Sequence, residues 1–288
     1  MERYIEKAKT LVEALPYIRL FNGKTIVIKY GGSAMVEDAL RSHVLEDIVL
    51  MRLVGINPVV VHGGGKHITE LSKRLGIESK FVNGLRVTDS ETMMITQMVL
   101  AGLINKDIVA DIALLGGKAC GISGKDGGLI MATKKSDTSG TDYGFVGDIE
   151  QVNPELLRIL EENSYIPVVS PVGTDDQGDS LNINADVAAA RIAEELKAEK
   201  IIYLTDVDGI LRNKKDPSTL IPVVSASGIE TLKREGIIES GMIPKVDACV
   251  RALNRGVGKV HIINGTVPHA LILEVFTDSG IGTEITQG

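Results

Sequence analysis

The strongest constraint on this chain is its alternation of short, wholly apolar strand-like runs with helix-like segments. The stretches 25–30, 58–61, 166–171, 201–204 and 260–263 are rich in β-branched residues and carry little polar alternation. Strands of that kind are buried on both faces, and helices between them make the crossovers of a parallel sheet. The expected fold is therefore α/β, a three-layer αβα sandwich with a mainly parallel central sheet. Its 288 residues suffice for one large domain or two lobes. The Gly/Asp-rich stretch 173–180 is either a seam between lobes or one surface loop.

Local signals refine this plan. Tyr4, Ile5, Ala8, Leu11, Val12 and Leu15 follow helical spacing, so residues 3–15 read as an amphipathic helix that Pro16 ends or kinks. Asn22-Gly23 marks a turn. Helical patterns run over 37–53, 184–197, 225–235, 244–255 and 268–275. Residues 80–88 look extended. Thr88 and Glu91 form a capping box that opens a long helix reaching toward Leu115. The Gly-rich region 118–152 reads as a run of short antiparallel strands. Asn153-Pro154 starts a further helix.

Composition excludes several classes. Aromatic residues are 3% of the chain and the net charge is −7, which argues against single-stranded nucleic acid and anionic membranes as partners. Cys120 and Cys249 form no CxxC pair, and His43, His62, His67, His261 and His269 show no ligand spacing, so no protein-held metal is expected. The charged N-terminus lacks an apolar signal core and no uninterrupted apolar stretch reaches transmembrane length. The expected compartment is the cytoplasm.

Ligands of parallel α/β sheets bind at the carboxyl ends of the strands. Here those ends carry Lys29-Tyr30-Gly31-Gly32, His62-Gly63-Gly64-Gly65, Asn182-Ile183-Asn184-Ala185-Asp186 and Thr205-Asp206-Val207-Asp208-Gly209. Consecutive glycines let backbone N–H groups approach an anion, and a following helix N-terminus adds a favourable dipole. Lys29 beside such a loop offers charge to a phosphate. The spacing matches neither a Walker A loop nor a GxGxxG fingerprint, and each glycine cluster alone could be a simple tight turn.

The stretches KYGGSAM, VVVHGGGKHI, FVNGLRVTD, GISGKDGGLI, LNINADVAAARIA, YLTDVDGIL and GMIPKVDAC occur in this order. In that series the chain resembles the N-acetylglutamate kinases of the amino acid kinase superfamily, from about Lys24 to the C-terminus. The resemblance implies phosphorylation of the γ-carboxylate of N-acetyl-L-glutamate by ATP, with Mg2+ bound through the nucleotide phosphates, as the second step of arginine biosynthesis. It implies that Lys29 and Lys245 are catalytic and hold the phosphoryl group from the acceptor and nucleotide sides, with Asp186 orienting both. Gly64, Gly65, Arg86, Asn182 and Asn184 match substrate-binding positions. Gly31, Gly32, Asp206 and Asp208, with the two lysines, match the ATP site, although Asp206 and Asp208 could equally form an Asx turn beside Gly209. Asn184 is also the better-placed helix cap. The residues agree with the chemistry, because a carboxylate acceptor is ionised at neutral pH and needs no general base.

The resemblance also divides the chain into an N-terminal arm (1–20), an N-lobe for the acylamino acid and dimerisation (21–175) and a C-lobe for ATP (176–288). Arginine-inhibited members carry such an arm, which joins dimers into a hexamer, a trimer of dimers; an ordinary helix packed on its own domain is the other reading. Tyr17, His269 and Glu284 resemble an L-arginine effector site. Some members bind a PII signalling protein, and no motif here decides that partner. Two alternatives remain: a kinase for carrier-protein-bound α-aminoadipate, whose basic docking residues are poorly represented in 80–88 by Lys80 and Arg86, and a non-catalytic amino-acid sensor, which would have lost Lys29, Asp186 or Lys245.

Overall fold

A computed structural model describes residues 1–35, 37–137, 140–239 and 242–288, without the side chains of residues 2, 3 and 7; Gly241 of the GMIPKVDAC stretch lies outside them. Two helices open the chain, α1 (Glu2–Glu13) and α2 (Leu15–Phe21). The helix expected to end or kink at Pro16 breaks at Ala14, and Pro16 sits in the first turn of α2, where its missing N–H forfeits no bond. Tyr4, Ile5, Leu11 and Val12 of α1 are exposed, so the arm's apolar stripe is not packed on its own domain.

β1 (Thr25–Tyr30), α3 (Asp38–Leu53), β2 (Asn57–His62) and α4 (Gly65–Arg74) follow as expected. Residues 80–88 form a hairpin of β3 (Phe81–Val82) and β4 (Leu85–Arg86). Asn83 and Gly84 close it with φ of 51° and 77°, and an Asn-Gly pair tolerates the left-handed conformation such a two-residue turn requires. The long helix is α5 (Ser90–Gln97), a π-helical turn over Met98–Ile104, and α6 (Asn105–Leu114). Its cap is Asp89, which accepts from Thr92 N–H at 2.8 Å, not Thr88. Thr88 is buried and its hydroxyl donates to the Arg86 carbonyl at 2.8 Å, so it is turned away from the helix. By length and composition Ser90–Leu114 could cross a membrane, although Glu91, Lys106, Asp107 and Asp111 interrupt its apolar residues. In the structure this helix packs against α3 and the main sheet as part of the core.

Next come β5 (Ala119–Ser123), β6 (Ile130–Lys134), β7 (Gly147–Val152), α7 (Glu155–Glu162), β8 (Ile166–Ser170), β9 (Val172–Thr174) and β10 (Ser180–Asn182). Only β6 and β7 form the antiparallel pair expected over 118–152; β5 joins the main sheet parallel to β8. β9 and β10 pair as a hairpin in a four-stranded sheet with β6 and β7. Its turn is held by Asp175, whose carboxylate accepts from Gln177 and Asp179 N–H. The chain ends with α8 (Ala185–Leu196), β11 (Lys200–Thr205), β12 (Val223–Ser225), α9 (Ala226–Arg234), α10 (Ile243–Asn254), β13 (Lys259–Asn264), α11 (Ala270–Val275) and β14 (Thr283–Thr286).

The main sheet has eight strands in the order β12-β14-β13-β11-β1-β2-β8-β5. From β13 to β5 all neighbours run parallel, and β14 is antiparallel to β13. Successive strand residues bury on opposite faces. Val27, Val61 and Tyr203 pack with Ala189 of α8 and Cys249 of α10. Ile26, Ile28 and Val60 pack with Ile48 of α3 and Ile108 of α6. Helices thus cover both faces, which is the expected three-layer αβα architecture. The carboxyl ends of β1, β2 and β11 lie side by side at the middle of the sheet.

Candidate functional site

Three elements bring Lys29, Asp186 and Lys245 together. Lys29 stands near the end of β1, Asp186 in the first turn of α8, and Lys245 in the first turn of α10. Lys29 Nζ lies 3.1 Å from Asp186 Oδ1, and Lys245 Nζ lies 2.6 Å from Oδ2. One carboxylate therefore bridges two ammonium groups. Burial pushes the Asp186 carboxyl up, but Lys29 and then Lys245 outweigh it and hold the group below the usual carboxylate range. Asn184 caps α8, accepting from Asp186 and Val187 N–H at 2.9 and 3.2 Å, and this fixes the first turn that carries Asp186.

Tyr203 of β11 supports the bridge, and the sequence reading did not single it out. Its buried ring lies 5.1 Å from Lys245 Nζ, and its hydroxyl donates to the Asp186 carbonyl at 3.3 Å. A lone Tyr in an otherwise aliphatic strand was the available signal, because its buried hydroxyl needs a partner.

The glycine loop after β1 is shaped around this cluster. A Cβ on Gly31 would stand 2.5 Å from Lys29 Nζ. Gly32 has φ of 73°, and a Cβ there would stand 2.5 Å from Asp206 Oδ1. That same oxygen accepts from Ser33 N–H at 2.6 Å. Asp206 thus ties the end of β11 to the loop after β1, while Asp208 accepts from Asn264 Nδ2 at 2.7 Å. Gly32→Ala is expected to cost about 1–3 kcal/mol in a denaturant melt, through its left-handed backbone and the displaced Asp206.

Beside the lysines is a cleft of about 210 Å³ lined by Gly63, Gly64, Gly65, Arg86, Asn182, Asn184 and neighbouring apolar residues. Arg86 is buried, and burial lowers its pKa. Its Nη1 donates to Ser79 Oγ at 2.6 Å, and its Nη2 donates to the Gly65 carbonyl at 2.9 Å and Thr69 Oγ1 at 2.7 Å. The Phe81 ring lies 4.7 Å from the guanidinium carbon. Among the described residues no carboxylate pairs with Arg86, which leaves its charge available to an anionic ligand. Asn182 Nδ2 donates to Thr88 Oγ1 at 3.1 Å, while the Asn184 carboxamide oxygen is committed to its cap. The N-termini of α4 and α8 both line the cleft, the first through Gly64 and Gly65 and the second through Asn184 and Ala185. The arrangement can bind an anion in the cleft and stabilise negative charge at the lysine pair.

The three residues matched to an arginine site make separate contacts. Tyr17 donates to Asp278, in a groove formed by α2 and residues 276–278. His269 pairs with buried Asp47 at 2.7 Å and tilts against the His43 ring. Glu284 pairs with Lys259 at 2.9 Å and lies 3.7 Å from His261.

Comparison with known proteins agrees with the geometry. The model of the amino acid kinase family matches residues 24–264. Acetylglutamate kinase of Desulforamulus reducens is 57% identical over 283 residues, covering 98% of each chain. That of Heliobacterium modesticaldum is 55% identical over 295 residues and covers both chains fully. Among solved structures, N-acetylglutamate synthase from Neisseria gonorrhoeae, complexed with coenzyme A and N-acetyl-glutamate, superposes with a TM-score of 0.87 at 30% identity. The match spans 98% of this chain and 63% of that longer one. The same synthase with coenzyme A and L-arginine gives a TM-score of 0.82 at 29% identity, over 98% of this chain and 65% of the other. Full-length identity at this level, on a parallel sheet at which Lys29, Asp186 and Lys245 meet, places the chain in the amino acid kinase family and, within it, among the acetylglutamate kinases.

Proposed function

We propose that this enzyme transfers the γ-phosphoryl group of ATP to the γ-carboxylate of N-acetyl-L-glutamate, giving N-acetyl-L-glutamyl 5-phosphate and ADP in arginine biosynthesis. The observation that carries the reading is the Lys29–Asp186–Lys245 bridge beside a cleft with a buried, carboxylate-free Arg86. A carboxylate oxygen attacks the γ-phosphorus, and the bond to the β–γ bridging oxygen breaks with its electron pair leaving on ADP. No proton changes hands, so no base is required. The obstacle is repulsion between two anions, which fixed cations and amide donors reduce.

In this reading Arg86 grips the α-carboxylate, Gly64 and Gly65 N–H meet the γ-carboxylate, and Asn182 contacts the acetamido group. Gly31, Gly32, Asp206 and Asp208 border the nucleotide. Mg2+ would be held by the ATP phosphates and would neutralise part of their charge. The acid cleft then lies mainly on an N-lobe (21–175), with Asn182 and Asn184 supplied by a C-lobe (176–288) that holds the nucleotide, and the enzyme acts in the cytoplasm. ADP release is expected to require N-acetyl-L-glutamate and to stop on chelation of Mg2+. Release at the same rate without the acid would contradict the reading.

The exposed apolar stripe of α1 supports assembly through the arm (1–20) with a second copy, toward a hexamer. The likeness to a synthase solved with L-arginine supports feedback inhibition, with Tyr17, His269 and Glu284 at the effector site. Millimolar L-arginine is expected to inhibit the full chain, and removal of residues 1–20 is expected to relieve inhibition and shrink the oligomer in light scattering. Unchanged activity at millimolar arginine would remove this part of the account.

A further inference from the structure

We infer that His62 is a positioning residue of the reaction: a neutral ring, protonated on Nδ1, that aims the Gly64 N–H into the acid cleft. The inference deepens the proposed function, because it rests on the Gly64 amide meeting the acceptor carboxylate.

The geometry determines the proton's place. His62 Nδ1 lies 2.9 Å from the carbonyl oxygen of Gly63. A carbonyl only accepts, so Nδ1 carries the hydrogen. His62 Nε2 lies 3.2 Å from Asn105 Nδ2. The amide orientation of Asn105 is set independently, since its Oδ1 accepts from the Lys106 ammonium at 3.0 Å and its Nδ2 faces the Val168 carbonyl at 2.9 Å. Asn105 Nδ2 shares its two hydrogens among Nε2, the Val168 carbonyl and the Ile122 carbonyl at 3.3 Å, and because an amide NH2 cannot accept, the Nε2 facing it is unprotonated. The chain of donors runs from Lys106 through Asn105 and His62 to Gly63. Lys106 is the charged group facing this network, and its ammonium is also tied to the Gly121 carbonyl at 2.8 Å. Burial, reinforced by Lys106 and opposed by the bond to Gly63, brings the His62 pKa down to about 4, in accord with a neutral ring.

The consequence for the loop follows from peptide planarity. In a trans peptide the C=O and the next N–H point in opposite directions. Holding the Gly63 carbonyl against His62 turns the Gly64 N–H away from it, toward the cleft. The Gly63 N–H is held as well, donating to the Tyr30 carbonyl at 2.8 Å. The π-helical turn closes the loop from behind, because a Cβ on Gly64 would lie 2.5 Å from both Leu100 and Ile104. That turn also delivers Asn105 to His62, a use of π-turns that recurs at functional sites.

The test pairs two substitutions in the full-length enzyme. His62→Phe removes the donor and is expected to lower kcat/KM for N-acetyl-L-glutamate about 10²-fold, with KM for ATP unchanged. His62→Asn, whose amide nitrogen reaches close to the Nδ1 position, is expected to recover most of that loss. Wild-type kcat/KM in His62→Phe overturns the inference, and so does a folded His62→Asn as impaired as His62→Phe. Should neither variant fold, nitrogen NMR of the wild type labelled at histidine decides. A neutral ring protonated on Nδ1 between about pH 5 and 8 is expected, and an Nε2-protonated or titrating ring there overturns it. A wild type that phosphorylates no N-acetyl-L-glutamate would instead sink the proposed function, and the tautomer would still be readable.

Discussion

Lys245→Ala is expected to lower kcat by about 10³-fold while the enzyme keeps its fold, with Lys29→Ala comparable. Both ammonium groups sit at one carboxylate, that of Asp186, whose neighbour Ala185 lines the cleft. In the proposed reaction they would oppose the repulsion between two anions, which is greatest as the phosphoryl group passes between them. A water replacing either group supplies dipole but no fixed charge. The fold should tolerate either single loss, because Asp186 keeps the other lysine as its partner. Circular dichroism beside steady-state kinetics checks both halves. Near wild-type kcat in either variant would contradict the assigned roles.

Asp186→Asn is expected to cost about 10²–10³-fold in kcat and to change the acid limit of stability. An amide presents an oxygen to one lysine and an NH2 group to the other, so one ammonium meets a donor and swings away. The sign of the pH effect follows from the depressed Asp186 carboxyl. Its contribution is fully present above the unfolded carboxylate pKa of about 4 and is lost as pH falls through the lower folded value. Wild type should therefore lose stability below about pH 4 more steeply than Asp186→Asn. Thermal melts of both proteins between about pH 3 and 7 measure this difference, and parallel curves would deny the carboxylate its bridging role.

Much of this architecture was legible because burial on both faces leaves a direct mark on strand composition. β1, β2, β8, β11 and β13 are apolar runs, and their order among helices implies a parallel sheet. β12 and β14 were missed because they are short and near one edge, where half-exposed residues such as Glu284 dilute the pattern. The direction of β5 depends on pairing with β8, more than forty residues away in sequence, which local glycine content cannot reveal. The cap at Asp89 was misplaced by one residue because Thr88 is drawn into contacts with Arg86 and Asn182. The lysines, Asp186 and its orienting of both lysines were named from motifs, but the contacts of 3.1 and 2.6 Å are three-dimensional facts. So are Tyr203 beneath Lys245 and the line from Lys106 to Gly63, which joins residues on different elements.

The central claim is that the lysine pair serves transfer to a carboxylate, and hydroxylamine trapping tests it most directly. With ATP and Mg2+, the enzyme should yield hydroxamate from N-acetyl-L-glutamate, and Lys245→Ala should yield almost none. Hydroxamate from glutamate, aspartate or α-aminoadipate, but none from N-acetyl-L-glutamate, would contradict the account.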